Sequence, residues 1–286
     1  MKPLVDGDVL VYEIGWAAET GWRAIKEWKE GDEPLPPPPF DYVAELLDNR
    51  VAEICGKVMA TEPPTLYLTG KGNFREAIAK KKPYKGNRKE DNKPWHYANI
   101  KSYMQTKYDV IIVEGMEADD AMCIEQVDRL YNRGNPLRKD VTESIICTRD
   151  KDLRQCPGWH FGWELGNQPQ YGPKFVEGFG EIELDDKKKL RGCGDKFFYA
   201  QLITGDPVDN VPGLPRKGAV EAFNLLGNTQ TREEAEKAVV EAYRGFYGDD
   251  AYRQEMREQA QLLWMVRAVD ENCKPIMWRF LDEYNP

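Results

Sequence analysis

The pattern of apolar and polar positions in the first half of the chain predicts strands that alternate with helices. The apolar residues of segment 4–11 predict a first strand that acids interrupt, and the residues after Ile14 predict a helix. From Phe40 onwards, apolar residues recur three or four apart, which predicts a helix ending near Met59. Short apolar runs predict strands at 66–69, 110–113 and 145–147, with the last two buried on both faces of a sheet. This alternation favours an α/β fold with a central, mostly parallel, twisted sheet flanked by helices.

Helical periodicity replaces the alternation beyond about residue 195. Ala235, Val239, Ala242 and Phe246 are spaced as on one face of a helix, so a helical lobe is expected after the sheet. Segment 157–184 is dense in Gly, Pro and aromatic residues, which predicts irregular β-structure without indicating a function for it. A chain of 286 residues is long enough for one large α/β domain with an appended lobe.

Charge is distributed unevenly along the chain. The net charge is −9, which by itself disfavours a nucleic-acid partner. However, segment 71–93 contains nine basic and three acidic residues, a local net charge of +6. The six cysteines form no CxxC pair, there are only two histidines, and no apolar run is long enough to cross a membrane. The N-terminal residues also lack the pattern of a signal peptide, so we expect a protein of the cytoplasm, with catalysis resting on carboxylates.

Acidic residues are grouped where predicted strands and helices meet. They form four groups: Asp6 with Asp8; Glu117, Asp119 and Asp120; Asp150 with Asp152; and Asp206 with Asp209. Each group alone could simply cap a helix or a turn. Together they indicate more, because the carboxyl ends of parallel strands meet at one edge of a sheet. Crowded carboxylates repel unless hard cations lie between them, so the four groups predict a site for several Mg²⁺ or Mn²⁺ ions that acts on a phosphodiester.

Five sequence strings, in this order and spacing, resemble the 5′-nuclease (flap endonuclease-like) superfamily and, within it, the phage-type 5′-to-3′ exonucleases. The strings are VDGD, YKGNRK, EADDAM, TRDKDL and GDPVDNVPG. The resemblance extends from residue 4 to about residue 227. It implies a PIN/5′-nuclease-like α/β domain at 1–194 with a basic arch at about 71–95. It also implies a helical DNA-binding lobe at 195–286, with a helix-three-turn-helix at about 203–227.

The resemblance assigns the acids to two metal sites. Asp6, Glu117, Asp119 and Asp120 are implied as ligands of the first metal, and Asp150, Asp152, Asp206 and Asp209 as ligands of the second. Asp8 is implied as an outer-sphere ligand. In the family, a further Asp usually ends the strand that matches LYLTGKG, but here Gly70 stands at that place. The departure weakens the first site unless Asp8 or water replaces the missing ligand.

The resemblance also assigns the contacts with DNA. Lys85 and Arg88 match residues that contact the scissile phosphate, and Arg75 matches a preceding phosphate-binding arginine. The further residues that it places against DNA are Tyr12, Tyr84, Lys89, Gly213, Arg216, Lys217 and Gly218. Of these, Tyr12 matches a tyrosine that stacks on the terminal base, although a tyrosine near a strand end also serves core packing. A K⁺ ion bound at the hairpin is implied as well. Arg216 and Lys217 replace the usual glycine and apolar residue, which puts the hairpin geometry in doubt, but the two added cations could contact the DNA backbone directly.

The implied function is Mg²⁺-dependent 5′-to-3′ exonuclease or 5′-flap endonuclease activity in DNA replication or repair, with Mn²⁺ as a substitute metal. The expected partners are duplex DNA with a 5′ end, flap or gap, and RNA:DNA hybrids, with no membrane partner and a monomeric protein. The location would be the host cytoplasm if the source is a phage. Two alternatives stay open. One is a PIN-type endoribonuclease, and the other is a DNA-end-binding protein with weakened catalysis, which the glycine at position 70 suggests.

Overall fold

The computed structural model describes residues 1–88, 93–132 and 144–283. Its longer helices are α1 (Gly7–Ile25), α2 (Phe40–Lys57), α3 (Phe74–Ile78), α4 (Tyr97–Lys107), α5 (Ala118–Asn132), α6 (Gly194–Thr204), α7 (Ala219–Leu226), α8 (Arg232–Tyr247) and α9 (Tyr252–Leu263). Short 3₁₀ helices lie at Asp152–Gln155 and Leu281–Glu283. No helix among the described residues is both long and apolar enough to cross a membrane.

A six-stranded sheet lies at the centre of the α/β part. The strands of the chain are β1 (Lys2–Asp6), β2 (Thr65–Thr69), β3 (Asp109–Val113), β4 (Ser144–Cys147), β5 (Gly158–Gly162), β6 (Tyr171–Val176), β7 (Glu181–Leu184) and β8 (Leu190–Cys193). The sheet has the order β3-β2-β1-β4-β5-β6, and all its pairs are parallel except β5 with β6. Strands β7 and β8 form a separate antiparallel pair. The predicted fold class, a mostly parallel sheet flanked by helices, is confirmed.

Helices cover both faces of the sheet. On one face α1, α2 and α4 bury residues such as Leu10, Leu47 and Ile100 against it, and on the other face α5 buries Met122 and Cys123. A third apolar core lies among α6 to α9, and Ile182 of β7 joins it. Burial of these side chains is the main source of the stability of the fold.

Two predictions from the apolar pattern are wrong in detail. The first strand ends at Asp6 and not at residue 11, because the Asp6 carboxylate accepts a hydrogen bond from the Val9 backbone N–H and so caps α1 at once. Strand β3 is not buried on both faces, because it is an edge strand on which Ile111 and Ile112 are 38% and 47% exposed. By contrast, β4 is buried throughout, as predicted.

Candidate active site

Asp6 ties together the ends of two neighbouring strands. One carboxylate oxygen accepts the N–H of Val9 at 2.9 Å, and the other accepts the hydroxyl of Thr148, just after β4, at 2.7 Å. Asp6 is only 2% exposed. Burial raises its pKa to about 7, and the charges of Asp8 and Asp150 act in the same direction. An ionised Asp6 is therefore costly unless a cation balances it.

Asp119 and Asp150 face Asp6. Burial raises the pKa of the Asp119 carboxyl well above its usual range, and the charges of Asp6, Asp150 and Glu117 raise it further. Among the described residues, the Asp119 carboxylate has neither a hydrogen bond nor an ion pair. Acids from β1, from the start of α5 and from the loop after β4 thus converge, as the topology of a parallel sheet predicts.

Glu117 and Asp209 are connected by the side chains that follow α3. The Tyr84 hydroxyl lies 3.1 Å from a Glu117 oxygen and 2.8 Å from an Asp209 oxygen. The Lys85 ammonium is paired with Glu117 and lies 3.8 Å from Asp209, while Arg88 bonds to Asp209 at 3.0 Å. Burial alone would raise the pKa of Glu117, but the Lys85 cation turns the net shift downward.

Lys151 holds the second group of acids together. Its ammonium lies 2.8 Å from an Asp152 oxygen and 2.7 Å from an Asp206 oxygen. Burial and the neighbouring charge of Asp150 raise the pKa of Asp152 to about 7, whereas the bond from Lys151 helps to lower that of Asp206. The sequence reasoning did not single out Lys151, although its position between two acids in TRDKDL was a usable signal.

Arg75 and Asp120 lie buried behind Glu117 and bind each other, which corrects their predicted roles. Both side chains are fully buried, and they share two hydrogen bonds of 2.5 and 2.8 Å. Arg75 also donates to the backbone carbonyls of Leu262 at 3.0 Å and Trp264 at 2.7 Å, and it lies 3.7 Å from a Glu117 carboxylate oxygen. A guanidinium enclosed in this way cannot reach a substrate phosphate, and a carboxylate saturated by arginine is a poor metal ligand. The pair instead fixes the start of α5.

The contact of Tyr84 with DNA stays a prediction, and the structure gives this side chain other partners. Its hydroxyl is used by the two acids named above, and its ring packs against the apolar core of α6 to α9. The ring is therefore not free to stack on a base. Tyr84 sets the spacing between Glu117 and Asp209.

Gly70 marks the place of the missing family aspartate, and another acid fills the adjacent space. A Cβ atom built on Gly70 would lie 2.6 Å from a Glu114 carboxylate oxygen and 2.9 Å from the Val113 carbonyl oxygen. Glu114 is held there by the Lys71 backbone N–H at 2.7 Å. Asp8 accepts the Thr69 N–H at 2.8 Å and lies 3.5 Å from Lys101. The outer-sphere role of Asp8 stays a prediction.

Tyr12 lines a groove of about 1190 Å³ that opens onto Asp6 and Asp119. It is 38% exposed and meets Tyr97 edge-on, with ring centroids 5.3 Å apart. Trp16, one helical turn further along α1, lines the same groove and is equally exposed. Residues four positions apart lie on the same face of a helix, so the sequence could have placed Trp16 in the groove beside Tyr12.

The segment between α6 and α7 forms a tight loop with cationic residues at its tip. Gly205 and Gly213 have φ of 69° and 68°, and their backbones touch so closely that a Cβ on Gly213 would lie 2.2 Å from the Gly205 nitrogen. Arg216 and Lys217 are exposed. Gly218 precedes α7 and donates its N–H to Glu221 at 3.1 Å. Lys89, the other predicted DNA contact, lies outside the described residues.

The chemistry of the acidic groups fits a hard divalent cation, but their present arrangement does not form a finished metal site. Oxygen is the only donor type available, which selects Mg²⁺ or Mn²⁺ over zinc. Within the described parts of the chain, no three His, Cys, Asp or Glu side chains are grouped so that they could hold a metal ion. Lysine ammonium groups pair with Glu117 and with Asp152 and Asp206 instead. A bound metal would have to replace these internal cations.

Comparison with known proteins finds one similar curated sequence. The chain is 29% identical over 166 residues to DNA polymerase I of Pseudomonas aeruginosa. The match covers 56% of this chain and 16% of the polymerase, so the chain spans about a sixth of the relative. No family model matches the chain.

Solved structures of bacteriophage T5 proteins are similar in fold. One is the T5 5′-exonuclease with bound zinc ions, at 15% identity and a TM-score of 0.49, with 92% of this chain and 100% of that chain covered. Another is the T5 flap endonuclease in a complex with DNA and metal ions, at the same identity and TM-score, with 92% and 98% covered. The chain is thus similar to part of a DNA polymerase I in sequence and to T5 nucleases among solved structures.

Proposed function

We propose that the chain is a divalent-metal-dependent nuclease that hydrolyses DNA phosphodiesters near a 5′ end, as a 5′-to-3′ exonuclease or a 5′-flap endonuclease. The observation that carries the proposal is the convergence of Asp6, Asp119 and Asp150, whose charges oppose one another where two grooves meet. Such crowding is unfavourable for folding, so it is best explained by a bound cation.

In this proposal Asp6, Glu117 and Asp119 hold the first Mg²⁺, without the predicted Asp120. The second Mg²⁺ would be held by Asp150, Asp152, Asp206 and Asp209. When bound, the metals would supply an acidified water as the nucleophile and stabilisation of the leaving 3′ oxygen. No side-chain general base is required.

The cations and aromatic side chains of the site then act on the substrate. Lys85 and Arg88 would leave their acid partners and offset the charge on the scissile phosphate. Tyr12, with Trp16, would stack on bases at the 5′ end. The loop between α6 and α7 would bind the duplex as a helix-three-turn-helix. Its contacts would come from Gly213, Arg216, Lys217 and Gly218, and a K⁺ ion bound at the loop would add a further contact with the DNA. Shape and not base edges would determine specificity.

The biological setting belongs to the same proposal. Similarity to part of a DNA polymerase I is in keeping with work on DNA in replication or repair. We also propose that the protein cleaves RNA in RNA:DNA hybrids, is a monomer and acts in the cytoplasm.

A cleavage panel tests the proposal. Duplex, gapped, 5′-flap and RNA:DNA substrates with a 5′ label are incubated with the protein in Mg²⁺ and in EDTA. We expect short 5′ products in Mg²⁺ only, and Asp119→Asn should lower the single-turnover rate about a thousandfold or more. Glu45→Gln, which removes an exposed carboxylate on α2, is the matched control. Equal rates for Asp119→Asn and Glu45→Gln would refute the assignment.

A second candidate, a DNA-end-binding protein with weakened catalysis, is favoured by the contacts at Gly70 and by the lysines paired with the acids. It predicts tight binding of 5′ ends with no products at any Mg²⁺ or Mn²⁺ concentration. Cleavage of single-stranded RNA without cleavage of DNA would instead identify a PIN-type endoribonuclease.

A further inference from the structure

A second groove, of about 910 Å³, lies on the other side of the acidic residues. It begins at Asp150 and Asp152 and is lined by residues of β6, β7 and β8, in the region whose purpose the sequence does not indicate. Arg88 and Asp150 line both this groove and the groove that holds Tyr12. A nucleic-acid strand that reaches the acids from one groove could therefore continue into the other.

Arg154 is a cation of this groove that is held by an aromatic ring. Its guanidinium carbon lies 3.9 Å from the centroid of the Tyr171 ring, which holds the planar group by stacking. Among the described residues, no carboxylate forms an ion pair with Arg154, and its side-chain N–H groups have no hydrogen-bond acceptor. A stacked guanidinium with free donors is prepared to bind an anion.

Neighbouring arginines increase the positive potential around Arg154. Arg149 and Arg191 line the same groove as Arg154. Arg191 is paired with Asp185 at 3.1 Å, and Arg149 donates to the carbonyl of Pro169 at 3.2 Å, which leaves Arg154 as the free member of the three. Converging cations of this kind are stabilised by an anionic ligand.

We propose that Arg154, stacked on Tyr171, binds a phosphodiester of the DNA strand at a position beyond the scissile phosphate. The inference rests on the proposed function for the identity of the strand. The planar fork of arginine matches two phosphate oxygens, and the groove also contains Arg88 and the acids proposed to hold the second metal. The contact fixes how far the strand extends past the acids and carries no base specificity.

Single-phosphate neutralisation tests the inference. A 5′-flap duplex is prepared as a series in which one methylphosphonate at a time replaces a phosphate, and affinity is measured in EDTA. For the wild-type protein, we expect one position beyond the cleavage site at which neutralisation weakens binding about tenfold. Arg154→Met should bind the unmodified DNA about tenfold more weakly than the wild type does. A methylphosphonate at that position should not weaken its binding further. The salt dependence of DNA binding by Arg154→Met should correspond to the release of about one counterion fewer than for the wild type.

Matched variants separate this contact from a general loss of charge or fold. Lys187→Met removes an exposed lysine that does not line the groove, and should leave the position profile unchanged. Tyr171→Phe should behave as wild type, because the buried Tyr171 hydroxyl has no partner, whereas Tyr171→Leu should show part of the Arg154→Met effect. Arg154→Lys keeps the positive charge but not the planar guanidinium. It should show a smaller loss of DNA affinity, at the same phosphate position. It is the deciding variant if Arg154→Met does not fold.

Two results would overturn the inference. One is a position profile of the Arg154 variants identical to that of the wild type, and the other is an equal loss in Lys187→Met. Both leave the proposed function standing if the wild-type protein cleaves DNA. If the wild-type protein neither binds nor cleaves DNA, the proposed function fails first.

Discussion

Lys151 lies 2.7 Å from a carboxylate oxygen of Asp206, a residue 55 positions later in the chain. The same ammonium bonds to Asp152, so one side chain supplies the positive charge that a second metal ion would bring. A lysine and a divalent cation repel each other at this distance. Metal binding at these acids therefore has to displace Lys151.

Removing this internal cation should strengthen metal binding. We predict that Lys151→Met lowers the Mn²⁺ concentration needed for half-saturation about tenfold, because the acids no longer have a competing partner. Electron paramagnetic resonance of free Mn²⁺ measures this without any substrate. Lys187→Met is the control. An unchanged or weaker Mn²⁺ affinity in Lys151→Met would mean that Lys151 does not occupy the metal position.

Restoring the family aspartate at position 70 should require a second change. We expect Gly70→Asp alone to lower the free energy of unfolding by about 1–3 kcal/mol, because its Cβ would collide with Glu114 and the new charge would face another carboxylate. Gly70→Asp combined with Glu114→Ala should recover part of that loss and lower the Mn²⁺ requirement. Urea unfolding and Mn²⁺ titration of both variants, with Glu114→Ala alone as the control, test this. A stable single variant with improved metal affinity would contradict the described packing.

The buried His160 should make the protein sensitive to mild acid. Burial lowers its pKa from 6.5 to about 4, so the folded state keeps this imidazole neutral where the unfolded chain takes up a proton. Its contribution to stability is present above pH 6.5 and is lost as the pH falls towards 4. Between pH 8 and pH 5 the loss amounts to about 2 kcal/mol.

The difference between wild type and His160→Gln isolates this effect. The glutamine can still donate to the Cys156 carbonyl, which the ring meets at 2.7 Å, but it does not titrate. Urea unfolding at both pH values in EDTA should show a smaller acid loss for the variant. Asp6 and Asp152, whose pKa values are raised, change stability with the opposite sign in both proteins and cancel in the difference. Parallel pH profiles would show that His160 accepts a proton without unfolding.

The exposed cations after Gly213 should contribute affinity for duplex DNA and not chemistry. We predict that Arg216→Ala with Lys217→Ala weakens duplex binding equally for different sequences and reduces the salt dependence by up to about two counterions. Single-turnover cleavage at saturating DNA should persist. Lys237→Ala, an exposed lysine on α8, is the comparison. A wild-type salt slope in the double variant would exclude this loop from the duplex interface.

The sequence was sufficient to predict the sheet and the convergence of the acids, because both depend on short-range patterns. Apolar runs specify strands such as β4, and acids that follow them must meet at one edge. The contacts and the burial of individual side chains could not be predicted from such patterns. Arg75 and Asp120 match family residues, yet distant residues enclose them: Arg75 donates to carbonyls 187 and 189 positions away, and Asp120 accepts an N–H 146 positions away. The exposure of β3 was not predicted, because a short apolar run does not distinguish an edge strand from a central strand.

The enclosed pair of Arg75 and Asp120 also bears on how the protein can be divided. It joins the segment after β2, the start of α5 and the backbone between Leu262 and Val266 by direct hydrogen bonds. A fragment that ends near residue 194 would leave two charges without their carbonyl and amide partners. The α/β part and the C-terminal helices are therefore expected to unfold in one cooperative transition, and a limited protease cut between them should release no stable half.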